Sequence, residues 1–255
     1  MWAVTEMKRS SEGPKVVAII QARMGSTRLP AKVLADIRGQ PMLWHVLQRT
    51  RAAETLDEVI VATTTQPSDD SIVAFCRELG ARCFRGSEED VLDRYYQAAS
   101  QHGADVVVRI TSDCPLIDPG VLDKTVRAFL AEQPDYASNS VIRTYPRGLD
   151  AEVMTLRVLE RAWREARQPY ERSHVTPYIY ESPGRFRVLS VTGDRDYSEF
   201  RWTVDTPQDL EFVRSVYARM GRDEFLWSDV VSLLEREPEL GAINQSVVQK
   251  ALHEG

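Results

Sequence analysis

Three short apolar runs, each leading toward a helix-period segment, most constrain what this chain can fold into. Val16 to Gln21 opens VVAII, Glu58 to Ala62 reads EVIVA, and Asp105 to Thr111 is apolar except for Arg109. A run that is apolar at successive positions reads as a strand buried on both faces. Between the runs, Met42, Leu43, Val46 and Leu47 recur at helical spacing, so Pro41 to Arg51 is a helix with proline in its first turn. Ser68 stands where it can cap a second helix, with core face Ile72, Phe75, Cys76 and Leu79 and a stop at Gly80. Arg82 to Arg85 is a short strand, Glu88 to His102 a helix ended by Gly103, and Asp118-Pro119 open a helix through Leu130. This alternation predicts an α/β fold around a mostly parallel sheet covered on both faces.

The regularity breaks after Asp135. Tyr136 to Arg147 reads as a strand with a loop, Ala151 to Met154 as a strand, and Leu156 to Arg167 and Glu171 to Tyr180 as helices. Arg185 to Thr192 alternates charged and apolar residues, as an exposed antiparallel strand would. Residues 136–196 are therefore expected to form an arm. Arg201 to Val204 returns to strand, and Thr206-Pro207 open a helix with core residues Leu210, Val213 and Tyr217. The expected organisation is a disordered leader over 1–15, one domain over 16–240 and a polar tail over 241–255.

The loop after the first run carries the chemistry. Arg23, Arg28 and Lys32 surround Gly25, Ser26 and Thr27 directly past a strand end. Small residues let backbone N–H groups approach an anion, and fixed cations neutralise it. The stretch reads as a polyphosphate cradle, without the GxxxxGK[ST] spacing of a Walker loop. One such cation alone would be read as a solvated surface residue. Three together, where parallel sheets bind their ligands, favour a site.

Composition narrows the class. A net charge of −6 over 255 residues excludes general affinity for nucleic acid or an anionic membrane surface, so a nucleotide site must be a local basic pocket. Cys76, Cys83 and Cys114 lack metal-ligand spacing and fit a reduced, cytoplasmic protein. No apolar run approaches the roughly 18 residues of a membrane span, and the first residues lack the apolar core of a signal peptide.

Two carboxylates stand out, Asp113 in ITSDCPLID and Asp205 in RWTVDTPQD, each after a strand and before a helix. With phosphate oxygens, two carboxylates suffice for Mg²⁺. Either could instead cap a helix, although Asp118 and Thr206 are better placed to do so. His174, beside Glu171, Arg172 and Ser173, and the trio Arg147, Asp150 and Glu152 in PRGLDAE, are either substrate contacts or solvated pairs. No Ser-His-Asp or Cys-His set and no G-x-S-x-G elbow is present.

QARMGSTRLPAKVL resembles the N-terminal signature of the sugar-acid cytidylyltransferases, and specifically of their spore coat polysaccharide biosynthesis protein F branch. FRGSEEDVLDRYYQAA, RITSDCPLIDP, YPRGLDAEV, ERSHVTPYIYE and RWTVDTPQDL continue the likeness in order, from about Val16 to Tyr217. The resemblance implies a Rossmann-like, glycosyltransferase-A-like nucleotidyltransferase with a small antiparallel dimerisation arm. It implies Mg²⁺-dependent transfer of CMP from CTP to a keto-sugar acid, with release of pyrophosphate, in surface polysaccharide biosynthesis. On it, Arg23, Arg28 and Lys32 hold phosphates, with Gly25 and Ser26 in the cradle, and Asp113 and Asp205 hold the metal. Arg23, Lys32, Asp113 and Asp205 are then the candidate catalytic residues. Thr63, Arg85 and Ser87 fall where the base is read, and Arg147, Asp150, Glu152 and His174 where the sugar acid sits. A glycosyltransferase using a nucleotide-sugar and a non-catalytic nucleotide-binding protein are the alternatives. The glycosyltransferase lacks support because Ser112-Asp113-Cys114 carries one carboxylate where an Asp-x-Asp motif carries two.

Overall fold

The computed structural model describes residues 13–250, so most of the expected leader and the end of the tail lie outside the described residues. In chain order, β1 (Val16–Gln21) leads through a long loop and a single 3₁₀ turn, Lys32–Leu34, into the small hairpin β2 (Asp36–Ile37) and β3 (Gln40–Pro41). Then come α1 (Met42–Arg51), β4 (Glu58–Thr64), α2 (Asp70–Glu78), β5 (Arg82–Gly86), α3 (Val91–Gln101), β6 (Val106–Thr111) and α4 (Pro119–Glu132). The second half holds β7 (Tyr136–Ser138), β8 (Glu152–Thr155), α5 (Leu156–Glu165), α6 (Pro169–His174), α7 (Pro177–Tyr180) and β9 (Val188–Ser190). It closes with α8 (Pro207–Met220), α9 (Trp227–Arg236) and α10 (Pro238–Ala242).

One seven-stranded sheet runs β5-β4-β1-β6-β8-β7-β9. The first four are mutually parallel, and β8 enters antiparallel between β6 and β7. Along β1, Val16, Ala18 and Ile20 face one core with Leu43, Val46, Ile72 and Leu122. Val17 and Ile19 face the other, with Leu92, Tyr95, Val158 and Leu159. Both faces are covered by helices, which is why the run is apolar at every position. A third core gathers Ile37, Met42, Trp202, Phe212 and Val230 around α8 and α9.

Several expectations are corrected. The strands of residues 136–196 extend the central sheet, and the separate two-stranded antiparallel sheet is β2–β3 instead. β9 pairs parallel to β7, where an exposed antiparallel strand was expected over Arg185–Thr192. Phe186 and Val188 pack into one core and Leu189 and Val191 into the other, so neither face of β9 is a solvent face. Ser68 caps nothing: a 3₁₀ turn, Pro67–Asp69, precedes α2. α3 starts at Val91, because the Asp90 side chain accepts from Asp93 N. Arg201–Val204 makes one bridge, Arg147 to Arg201, rather than a strand. Glu171–Tyr180 is broken into α6 and α7 at Val175.

Gly148 fixes how the second half docks. Its φ is +112°, and a Cβ there would lie 2.7 Å from Thr203 N and from Trp202 C, both backbone atoms. Gly148→Ala should therefore cost more than about 3 kcal/mol in chemical denaturation. Gly103→Ala, at φ +60° with open space around it, should cost only about 1–2 kcal/mol. Equal costs would show that close approach does not constrain Gly148.

Candidate active site

The cradle loop is held by a buried carboxylate. Asp69 Oδ1 accepts from Met24 N at 2.8 Å, while its Oδ2 accepts from Thr64 N and Thr64 Oγ1. Met24 O in turn accepts from Ser26 N at 2.9 Å and Ala31 N at 3.1 Å, closing the loop on itself. Ala31 adopts a left-handed conformation, φ 57°, that turns the chain into the Lys32 turn.

From there the Lys32 ammonium reaches two distant segments. Nζ lies 3.1 Å from Asp113 Oδ2, 2.8 Å from Asp205 Oδ1 and 2.7 Å from Val204 O. Asp205 Oδ2 is also met by Arg28 Nη2 at 3.1 Å and Arg201 Nη2 at 2.8 Å. Burial disfavours the Lys32 ammonium, but Asp113 and Asp205 outweigh it and hold its pKa above the ordinary value. Burial likewise opposes ionisation of Asp113, yet Lys32 and the Thr111 and Cys114 side chains hold its carboxyl below the usual range. The cluster sits past the carboxyl ends of β1 and β6, where a parallel sheet opens toward a ligand.

Neither carboxylate caps a helix. Asp118 accepts from Gly120 N and Val121 N at the start of α4. Thr206 and Asp209 form a reciprocal capping box at α8. Asp113 and Asp205 are thus left for the cluster.

The sequence matches the cytidylyltransferase family model over residues 17–230. The chain belongs to the cytidylyltransferase family. It is 34% identical to the spore coat polysaccharide biosynthesis protein SpsF of Bacillus subtilis, covering 88% of this chain and 95% of that one. It is 44% identical to a 3-deoxy-manno-octulosonate cytidylyltransferase of Geobacter sulfurreducens, over 47% of this chain and 46% of that one. Its fold superposes on the structure of a cytidylyltransferase from Leptospira borgpetersenii with a TM-score of 0.87, at 35% identity, covering 94% of this chain and 100% of that chain. The fold is thus a Rossmann-like nucleotidyltransferase. Among the described residues no helix is long and apolar enough to cross a membrane.

Within this cytidylyltransferase, the structure brings together Arg28, Lys32, Asp113 and Asp205. Arg23 stays at the rim, largely exposed, 3.9 Å from Glu88 Oε1. Gly25 and Ser26 lie on the loop between, with Ser26 Oγ accepting from Leu29 N. Thr63 is fully buried at the end of β4, its Oγ1 without a hydrogen-bond partner among the described residues. Arg85 is engaged by Thr64 O, Gln66 O and Asp70, bracing the β4–α2 connection. Ser87 Oγ accepts from Asp90 N. Asp150 is gripped bidentately by Arg143, while Arg147 N donates to Phe200 O and its carbonyl accepts from Trp202 N. Glu152 lies apart in a buried network with Arg109, Tyr136 and Thr176, and His174 ends α6.

Sequence reasoning missed Asp69, Arg201 and Asp209. Asp209 is fully buried; burial opposes its ionisation, but hydrogen bonds from Arg201, Asn244 and Asp205 N hold its carboxyl below the ordinary range. Both Arg201 and Asp209 stand in the RWTVDTPQD motif. Their i,i+4 spacing to Asp205 was the available signal.

Among the described residues no group of three or more His, Cys, Asp or Glu side chains could hold a metal. Two carboxylates and a carbonyl do converge on the Lys32 ammonium. These hard oxygens suit Mg²⁺, which takes one or two carboxylates and fills its remaining positions with water or phosphate. A divalent cation at this pair would compete with Lys32 for the same oxygens.

The Lys32–Asp113 pairing sets a pH signature. Asp113, depressed below its ordinary 3.8, contributes stability present above that pH and lost as pH falls through its folded-state value. In Lys32→Met the charge that chiefly offsets the desolvation of Asp113 is gone, and only its hydrogen bonds from Thr111 and Cys114 remain. The variant's Tm should rise as pH falls from about 7 toward about 4, while the wild type holds steady and then declines. Parallel profiles would remove Lys32 as the partner of Asp113.

Proposed function

We propose that the protein transfers CMP from CTP to a keto-sugar acid, releasing pyrophosphate, in surface polysaccharide biosynthesis. The observation that carries this is the convergence of cradle cations and two non-capping carboxylates at one point beyond β1 and β6. The name of the Geobacter relative supports the sugar-acid class of acceptor, and that of the Bacillus relative the polysaccharide setting. Such transfer requires in-line positioning and charge neutralisation rather than a covalent intermediate on the protein. Arg23, Arg28 and Lys32 neutralise the triphosphate, and the cradle backbone orients it. Asp113 and Asp205 would hold Mg²⁺, which offsets charge on the departing pyrophosphate. The Cys114 thiol, raised well above its ordinary pKa by burial and by Asp113, is not poised as a nucleophile.

Thermal shift against CTP, UTP, GTP, ATP and dTTP, each with and without Mg²⁺, tests the donor. CTP at about 100 times its Kd should raise Tm by about 5–10 °C, and more than the other triphosphates. Pyrophosphate release from CTP with sugar acids tests the reaction. Asp205→Asn should lower kcat at least about 100-fold with an unchanged circular dichroism spectrum. Stabilisation by no triphosphate, with turnover of a nucleotide-sugar instead, would move the protein to the glycosyltransferases.

A homodimer belongs to the same proposal. Val141 and Ile142 are 43% and 60% exposed on the β7–β8 connection, adjoining apolar residues of the kind a partner surface covers. Light scattering that returns the mass of one chain would refute it.

A further inference from the structure

One of the cations on the Asp205 carboxylate does not belong to the cradle. Asp205 Oδ1 faces Lys32, and Oδ2 faces both Arg28 and Arg201. Arg201 stands four positions before Asp205, and all three of its guanidinium nitrogens are engaged. Nη2 donates to Asp205 Oδ2 at 2.8 Å, Nε to Asp209 Oδ1 at 2.9 Å and Nη1 to Gln249 Oε1 at 2.5 Å. A rigid fork of this kind fixes the relation of two carboxylates, which a point charge does not.

Behind the fork stands Asp209, fully buried. A buried carboxylate is tolerated only where its oxygens find donors. Its Oδ2 accepts from Asp205 N, Thr206 N and Thr206 Oγ1, each at 3.0 Å, and from Arg201 Nη2 at 3.2 Å. Its Oδ1 accepts from Arg201 Nε and from Asn244 Nδ2, both at 2.9 Å. The same Asn244 amide donates to Arg201 O at 2.9 Å. Both of these partners are acceptors, so only the amide nitrogen can face them. Asn244 is 3% exposed, although it lies in the stretch expected to be a polar tail. It also lies beyond residues 17–230, which the family model matches.

We propose that Arg201 and Asn244 are positioning residues: Asn244 locks Asp209 and the Arg201 carbonyl in place, Arg201 carries that constraint to Asp205, and the segment after α10 thereby sets the Asp205 carboxylate for a divalent ion. Neither residue itself touches CTP or the ion. Arg28 and Lys32 would turn to an incoming triphosphate, whereas Arg201 stays, anchored by Asp209 and Gln249. The proposal rests on the reading of Asp205 as a Mg²⁺ ligand.

Calorimetric titration with CTP, with and without Mg²⁺ and with no acceptor, tests it. Mg²⁺ should tighten binding by the wild type. Asn244→Ala should bind CTP within about twofold of the wild type without Mg²⁺ and about tenfold more weakly with it, the loss expected when the partner behind a metal ligand is removed. Arg201→Lys keeps a charge but cannot span both carboxylates, and it should show the same split. Thr125→Val removes a buried hydroxyl that donates to Val121 O within α4. It should lower Tm and leave both Kd values unchanged. Equal weakening of Asn244→Ala in the two titrations, wild-type affinity in both, or the same split in Thr125→Val would each overturn the proposal. If Mg²⁺ does not change CTP binding by the wild type, the metal reading of Asp205 falls. The Arg201 Nε–H resonance in NMR then decides this one: it must exchange slowly with solvent in the wild type and rapidly in Asn244→Ala, and equal exchange would overturn it.

Discussion

The site depends on one ammonium group. Lys32 Nζ joins Asp113 and Asp205, which lie 81 and 173 positions away in the chain. No local preference brings these segments together. The attraction must offset the desolvation of a mostly buried lysine, and it succeeds because two carboxylates and a backbone carbonyl share one cation. The same arrangement tunes the site for a polyphosphate. On the proposed reaction, an entering triphosphate would offer Lys32 alternative oxygens, and its departure from Asp113 and Asp205 would free them for a divalent ion.

The remainder of the fold serves to bring these groups within reach. Asp69 fastens the cradle loop to the end of β4, so the loop moves with the sheet. The Thr206–Asp209 capping box fixes the start of α8, and Arg201 spans Asp209 and Asp205. Gly148 lets the chain after β7 press against the backbone of Trp202 and Thr203. Each device is a buried polar anchor or a bare backbone contact, and each is intolerant of small changes in geometry.

Much of this was legible in the sequence, for a physical reason. Continuous apolar runs report two covered faces, so β1, β4 and β6 could be read directly, and the cations after β1 were read together with Asp113 and Asp205, which the fold places beside Arg28 and Lys32. Strand direction could not: the alternation over Arg185–Thr192 suggested one open face where both are packed, and it left open whether β9 runs with or against β7. Arg201 and Asp69 were hidden, and the partners of Glu152 could not be read, because a charged residue does not announce its partner. The break at Val175 had a signal, since Pro177 lacks the N–H that would continue a helix through this stretch, but nothing local marks a valine for a left-handed turn.

The place of β8 in the sheet has a consequence for how the protein is made. The parallel strands β5, β4, β1 and β6 all lie within the first 111 residues, so they can pair as soon as they leave the ribosome. β8 then adds to the edge of β6, and β7 and β9 follow outward from it. Asp205 arrives after all of these. The nascent chain therefore carries Lys32 and Asp113 while still lacking the second carboxylate, and the Lys32–Asp205 ion pair can close only after all the strands of the sheet have been made.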